Sequence, residues 1–164
     1  EDNYAGPADL LGRTNEILQQ LKKRNWRRMM TAQAVDIDCK TGKFVIASAG
    51  HCYPYIVGEN GSSAVALQIT GMPLGSASKK AHSEVLGEIG PGDTIIFYTD
   101  GIIEAVDTTG EMLGYPRFEK LLQTAWSSDL EEYWKNIMAG YNRWAVSQDD
   151  DLTFLMLRRS GGSR

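Results

Sequence analysis

Cysteine is scarce in this chain: Cys39 and Cys52 are the only two, and their spacing matches no metal-ligand pattern. That argues against a disulfide framework and a zinc knuckle, and makes a reducing, cytoplasmic setting the expectation. Long apolar runs are missing as well. No stretch reaches the roughly 18 consecutive apolar residues of a membrane span, and the opening Glu-Asp-Asn-Tyr-Ala-Gly-Pro is no signal peptide. The first residue is not Met, so the chain is expected to begin inside a longer protein, whose other parts could carry a membrane anchor. Neither sign of charge is in large excess. With 17 Lys and Arg against 21 Asp and Glu, the net charge of -4 favours neither nucleic acid nor an anionic membrane as main partner. The most basic stretch, residues 22–28, follows a helical pattern. Cations suit a helix C-terminus, and a solvated helix end is favoured over a phosphate-contacting patch.

What is present fits one domain with a core: 164 residues, 42% of them hydrophobic. Leu10, Leu11, Ile17, Leu18 and Leu21 recur at a helical period, with Asp9 near the start, predicting an amphipathic helix over residues 7–24. Residues 29–38 and 44–48 read as strands joined at Lys40-Thr41-Gly42-Lys43, a hairpin leading into Ala49-Gly50-His51. Residues 53–57 and 64–69 flank a Gly/Asn/Ser turn and read as a second pair. After the loop Gly71-Met72-Pro73-Leu74-Gly75 come a strand over 81–89, a tight turn at Gly90-Pro91-Gly92-Asp93, and a buried strand over 94–99. Helices are predicted over 116–126 and 130–146, with a cap among Ser127, Ser128 and Asp129. A strand over 152–157 precedes a Ser/Gly/Arg tail, residues 159–164, expected to be disordered. No internal repeat is seen, and the order of elements indicates an α+β layered fold rather than alternating βαβ units.

Two features carry chemistry. Asp100 directly follows the buried strand and precedes Gly101, and Asp149-Asp150-Asp151 directly precedes the last strand. If the two helices between them bring those strands side by side, carboxylates at the strand ends converge. Like charges that close raise each other's pKa unless a cation neutralises them, and hard divalent ions with oxygen ligands do so. The bland alternative is an ordinary Asp-Gly turn and a solvated acidic loop with a capping role, and on residue types alone it is the stronger of the two.

Taken in order, Ala49-Gly50-His51, Gly71-Met72-Pro73-Leu74-Gly75, Gly90-Pro91-Gly92-Asp93, Tyr98-Thr99-Asp100-Gly101-Ile102-Ile103-Glu104-Ala105 and Asp150-Asp151-Leu152-Thr153 resemble the motif series of the SpoIIE/RsbU phosphatases. These are the bacterial branch of the metal-dependent, type 2C (PPM) protein phosphatases. The resemblance runs over residues 10–158 and includes Gly110-Glu111-Met112-Leu113-Gly114. It implies an αββα sandwich, two antiparallel sheets flanked by helices, with two Mn2+ or Mg2+ ions between the sheets. It further implies Asp100 and Asp150 as metal ligands, and hydrolysis of phosphoserine or phosphothreonine by water activated on the metals, without a covalent phospho-enzyme. In this family the substrate is commonly a STAS-type anti-sigma-factor antagonist. Beside these, Asp151 is expected to orient Asp150 or hold a metal-bound water, and Glu104 to support the site or start a helix. His51 is expected to satisfy backbone groups rather than act as general acid. Gly50, Gly71, Gly75 and Gly101 are expected to serve tight backbone, while Cys52, Met29 and Met30 pack.

The resemblance is partial. The family's Gly-Asp-x-x-Gly-His-Gly motif, whose Asp bridges both metals, and a further upstream acidic residue do not occur here. Residues 1–158 are therefore read as the C-terminal part of the domain, lacking its first strands. Two carboxylates without the bridging ligand bind metal weakly, so the chain alone is expected to be nearly inactive. Exposed sheet edges leave a homodimer open. The competing reading is a pseudophosphatase or binding module without a complete metal centre. Retention of both Asp100 and Asp150 favours the enzyme.

Overall fold

The elements follow in the order α1 (Pro7–Lys22), β1 (Ala32–Ile37), β2 (Lys43–Ala49), β3 (Tyr55–Val57), β4 (Ala64–Ala66), β5 (Glu84–Glu88), β6 (Thr94–Tyr98), α2 (Gly114–Thr124), α3 (Leu130–Trp144) and β7 (Phe154–Arg158). This computed structural model describes residues 5–22, 29–77, 82–146 and 151–161. The basic stretch after α1 and the residues Asp149 and Asp150 lie outside the described residues. Two units divide the chain: residues 1–51 with 68–88, and residues 52–67 with 89–164.

In the first unit β1, β2 and β5 form an antiparallel sheet in that order. The β1–β2 hairpin turns where expected because Asp38 caps it, accepting the amides of Lys40 and Thr41 on its carboxylate, while Gly42 adopts a positive φ of 77°. Alternation then sorts β2 into two faces. Ala47 and Ala49 pack with Leu11 and Leu18 of α1 and with Leu74, and the small side chains of Ala32 and Ala34 extend that contact on β1. Phe44 and Ile46, on the opposite face, are also buried. The Gly71–Gly75 loop is tied to α1. The Asn15 side chain accepts the Gly75 amide at 2.7 Å, and Gln19 donates to the Ser76 carbonyl at 2.7 Å. Met30 and Leu74 exchange backbone hydrogen bonds, so residue 30 is held although β1 proper starts at Ala32.

The second unit holds an antiparallel sheet in the order β4-β3-β6-β7. Tyr55 of β3, Tyr98 of β6 and Phe154 of β7 stack around Phe118 of α2, with the Tyr98 and Phe118 rings 4.7 Å apart. Leu122, Tyr133, Ile137 and Tyr141 complete the core from α2 and α3. Asp129 is the α3 cap, accepting the Glu132 amide at 2.8 Å. At the far end of β7, Arg158 bonds Thr94 and the carbonyls of Ser127 and Ser128. Its guanidinium lies over the Trp126 ring. Arg159, first residue of the expected tail, exchanges backbone bonds with Gly92 and Asp93. No described helix is long and apolar enough to cross a membrane.

Candidate active site

The pairing of β6 with β7 defines the site. The two strands run antiparallel with Tyr98 opposite Phe154, so the residues that follow β6 and those that precede β7 share one end of the sheet. Thr99 joins them. Its amide donates to the Thr153 carbonyl at 3.1 Å, its hydroxyl donates to the Asp151 carbonyl at 2.9 Å, and the same hydroxyl accepts the Thr153 amide at 2.9 Å. Asp100 and Asp151 therefore lie at the same end of this sheet. Asp150 itself lies outside the described residues.

Asp100 is exposed and opens a 3-10 turn, Asp100–Ile102, whose Gly101 and Ile102 are buried. Its carbonyl accepts the amides of Ile103 at 2.9 Å and Glu104 at 3.0 Å. The turn thus leaves the carboxylate at the surface above an anchored backbone, with the exposed Glu104 one turn on. The next residues are fixed against the start of α2: Leu113 donates to the Ala105 carbonyl at 2.8 Å, and Gly114 to the Ile103 carbonyl at 2.9 Å.

The charges of Asp100 and Glu104 reach neighbouring groups. The Cys52 thiol is pushed up to about 11 by burial first, then by Asp100, with Glu104 adding to it. The Tyr115 phenol is raised too, by burial and then by Cys52, Tyr53, Asp100 and Glu104. Tyr115 escaped the sequence reading, although it directly follows Gly110-Glu111-Met112-Leu113-Gly114; nothing in its own residue type marks it. Tyr98 is buried and its hydroxyl raised, mainly by desolvation.

His51 belongs to the first unit, where its Nδ1 lies 3.1 Å from the Thr31 hydroxyl and its amide donates to the Ser48 hydroxyl at 3.3 Å. Gly50 and Gly75 hold positive φ angles of 74° and 78°. A divalent cation suits the donor chemistry at the β6–β7 end, which is carboxylate oxygen. Among the described residues, which do not include Asp149 and Asp150, no group of three or more His, Cys, Asp or Glu side chains able to hold a metal occurs.

The solved structures define the fold class. The SiaA-PP2C domain of Pseudomonas aeruginosa superimposes with a TM-score of 0.80 at 22% identity, covering 93% of this chain and 61% of that one. The SpoIIE phosphatase domain of Bacillus subtilis, presoaked with Mn, matches with a TM-score of 0.65 at 17% identity, covering 95% of this chain and 73% of that one. The fold is that of a PP2C-type phosphatase domain, two antiparallel sheets with helices. Residues 1–160 match the model for stage II sporulation protein E (SpoIIE), and the chain belongs to that family. It is 26% identical over 157 residues to phosphoserine phosphatase RsbU of Bacillus subtilis (strain 168), covering 93% of this chain and 45% of that protein. The chain thus spans less than half the length of this curated relative.

Proposed function

We propose that this chain is part of a protein serine/threonine phosphatase, with Asp100 and Asp150 as ligands for Mn2+ or Mg2+. The observation that carries the reading is the Thr99 tie between the residues after β6 and those before β7. It sets Asp100 and Asp151 at one end of paired strands, where acidic side chains without a cation would repel. A divalent cation bound there would lower the pKa of a coordinated water and neutralise charge on the phosphoryl oxygens. The chain's own residues supply the rest. Gly101 keeps the turn low beneath Asp100, Glu104 adds negative charge beside it, and Asp151 orients its neighbour. The substrate is a phosphoserine- or phosphothreonine-bearing regulatory protein of the STAS-type anti-sigma-factor antagonist class, met in the cytoplasm.

Calorimetric titration of Mn2+ into the longer protein that this reading implies, and into its Asp100→Asn, Asp150→Asn variant, tests the ligands. Saturable heat in the wild type that disappears in the variant is expected. Identical titrations of both would sink the assignment. A phosphothreonine peptide assayed in parallel on the longer protein separates enzyme from pseudophosphatase, since metal-dependent phosphate release belongs to the enzyme alone.

A further inference from the structure

Three apolar side chains stand in solvent beside the Asp100 turn: Met112 at 56% exposure, Tyr115 at 43% and Val146 at 58%. They come from two segments, residues 112–115 at the start of α2 and the residues just after α3, and both are fixed to the stretch that follows Asp100. Met112 bridges Val106, and Val146 donates its amide to the Val106 carbonyl at 3.0 Å. Tyr115 follows Gly114, whose amide is bonded to the Ile103 carbonyl. Single exposed apolar residues are ordinary, whereas several gathered next to a candidate active site mark a recognition surface. The surrounding charge is acidic. Glu104 is exposed on the same stretch, and Asp107 stands between Val106 and the turn that it caps by accepting the amides of Thr109 and Glu111. The guanidinium of Arg117 is taken up by Glu111 and lies over the Trp144 ring.

We propose that Met112, Tyr115 and Val146 form a docking surface for the phosphoprotein substrate, receiving an apolar side chain next to the phosphorylated serine or threonine, with basic residues flanking it. The proposal rests on the phosphatase reading above. It commits to a partner segment that is apolar at its centre and positively charged at its edges, because apolar contact here gains affinity only if the carboxylates around it meet opposite charge. Tyr115 is the anchor of the surface: a rigid ring at the start of a helix loses little side-chain freedom on binding.

The test is fluorescence anisotropy with four labelled peptides, in the presence of Mn2+. They are Arg-Leu-phosphoserine-Leu-Arg, the same peptide with alanine in place of leucine, and the unphosphorylated form of each. The chain is expected to bind the leucine peptide about fivefold more tightly than the alanine peptide, the gain from the extra apolar surface covered. A Met112→Ser, Tyr115→Ser, Val146→Ser variant should bind both alike. The three single exchanges, all at exposed positions, are measured alongside, so that a folding defect in the triple variant does not hide the result. Equal binding of the leucine and alanine peptides by the wild type, or a preference that survives the exchanges, overturns the docking surface. A concentration-dependent dimer that the exchanges abolish, without any peptide preference, overturns it in favour of a second copy of the chain. The phosphatase reading fails separately: a leucine preference that is indifferent to phosphorylation, with no metal-dependent phosphate release from the longer protein, supports the surface and removes the phosphatase.

Discussion

The Thr99 hydroxyl accepts the amide of Thr153 at 2.9 Å, and the Thr99 amide donates to the Thr153 carbonyl at 3.1 Å. Through this pair the strand-like contact between β6 and β7 continues past Tyr98 and Phe154 to the residues on which the proposed chemistry rests. Thr99→Val keeps the shape but leaves the Thr153 amide and the Asp151 carbonyl without this partner. A loss of about 1 kcal/mol in stability is expected, the net worth of hydrogen bonds that solvent can reach. Urea denaturation measures it, and an unchanged midpoint would mean that solvent replaces the hydroxyl.

Asp129 caps α3 through the Glu132 amide, and its own amide is bonded to the Ser127 hydroxyl. Asp129→Ala should therefore cost about 1 kcal/mol, read as a lower melting temperature, and Asp129→Ser should restore most of it.

Much of this fold was legible because local signals agreed. The Leu11 and Leu18 period gave α1, the Lys40 to Lys43 turn gave the β1–β2 hairpin, and the punctuation at Gly90 and Gly92 bounded β6. Strand lengths were less legible. Residues 53–57 and 64–69 read as longer strands than the three-residue β3 and β4, whose pairing stops once Leu67 has bonded Pro54. At the candidate site, the motifs announced Asp100 and the acidic triplet. The role of Thr99 was hidden because a threonine after a β-rich run looks like the strand's last residue, and only the register of β7 shows what its hydroxyl holds. Tyr115 was invisible for a related reason: the backbone bonds that bring it beside the Asp100 turn close an irregular loop and leave no period.

Gly71 shows a different constraint. A Cβ there would overlap the backbone carbonyl of Ser48, which cannot move without disturbing the pairing of β2 with β1. Gly71→Ala should destabilise the chain by about 3 kcal/mol, the upper end for overpacking. Gly12→Ala, where an added Cβ meets nothing, should be neutral or slightly stabilising on α1. Parallel denaturation curves decide, and equal effects at the two positions would contradict the packing of the Gly71 loop on β2.

Raised acid groups in the second unit should weaken the fold at alkaline pH. The Cys52 thiol is pushed from its usual 9.0 up to about 11, first by burial and then by Asp100, and the Tyr55 phenol from 10.0 up to about 12, first by burial and then by Glu119. The folded state therefore keeps protons that the unfolded chain has already released. The stability tied to the thiol is complete below pH 9 and is lost as pH rises through about 11; that tied to Tyr55 is lost between pH 10 and about 12. Denaturant midpoints should hold up to pH 9 and then fall, and Cys52→Ala should flatten the first part of the decline. The Asp100 contribution has its own readout. In a Cys39→Ser background, Asp100→Asn removes a negative charge from beside the thiol, so Cys52 should ionise more readily and react faster with iodoacetamide at pH 9. A rate that does not change would mean that the Asp100 carboxylate is not felt at Cys52.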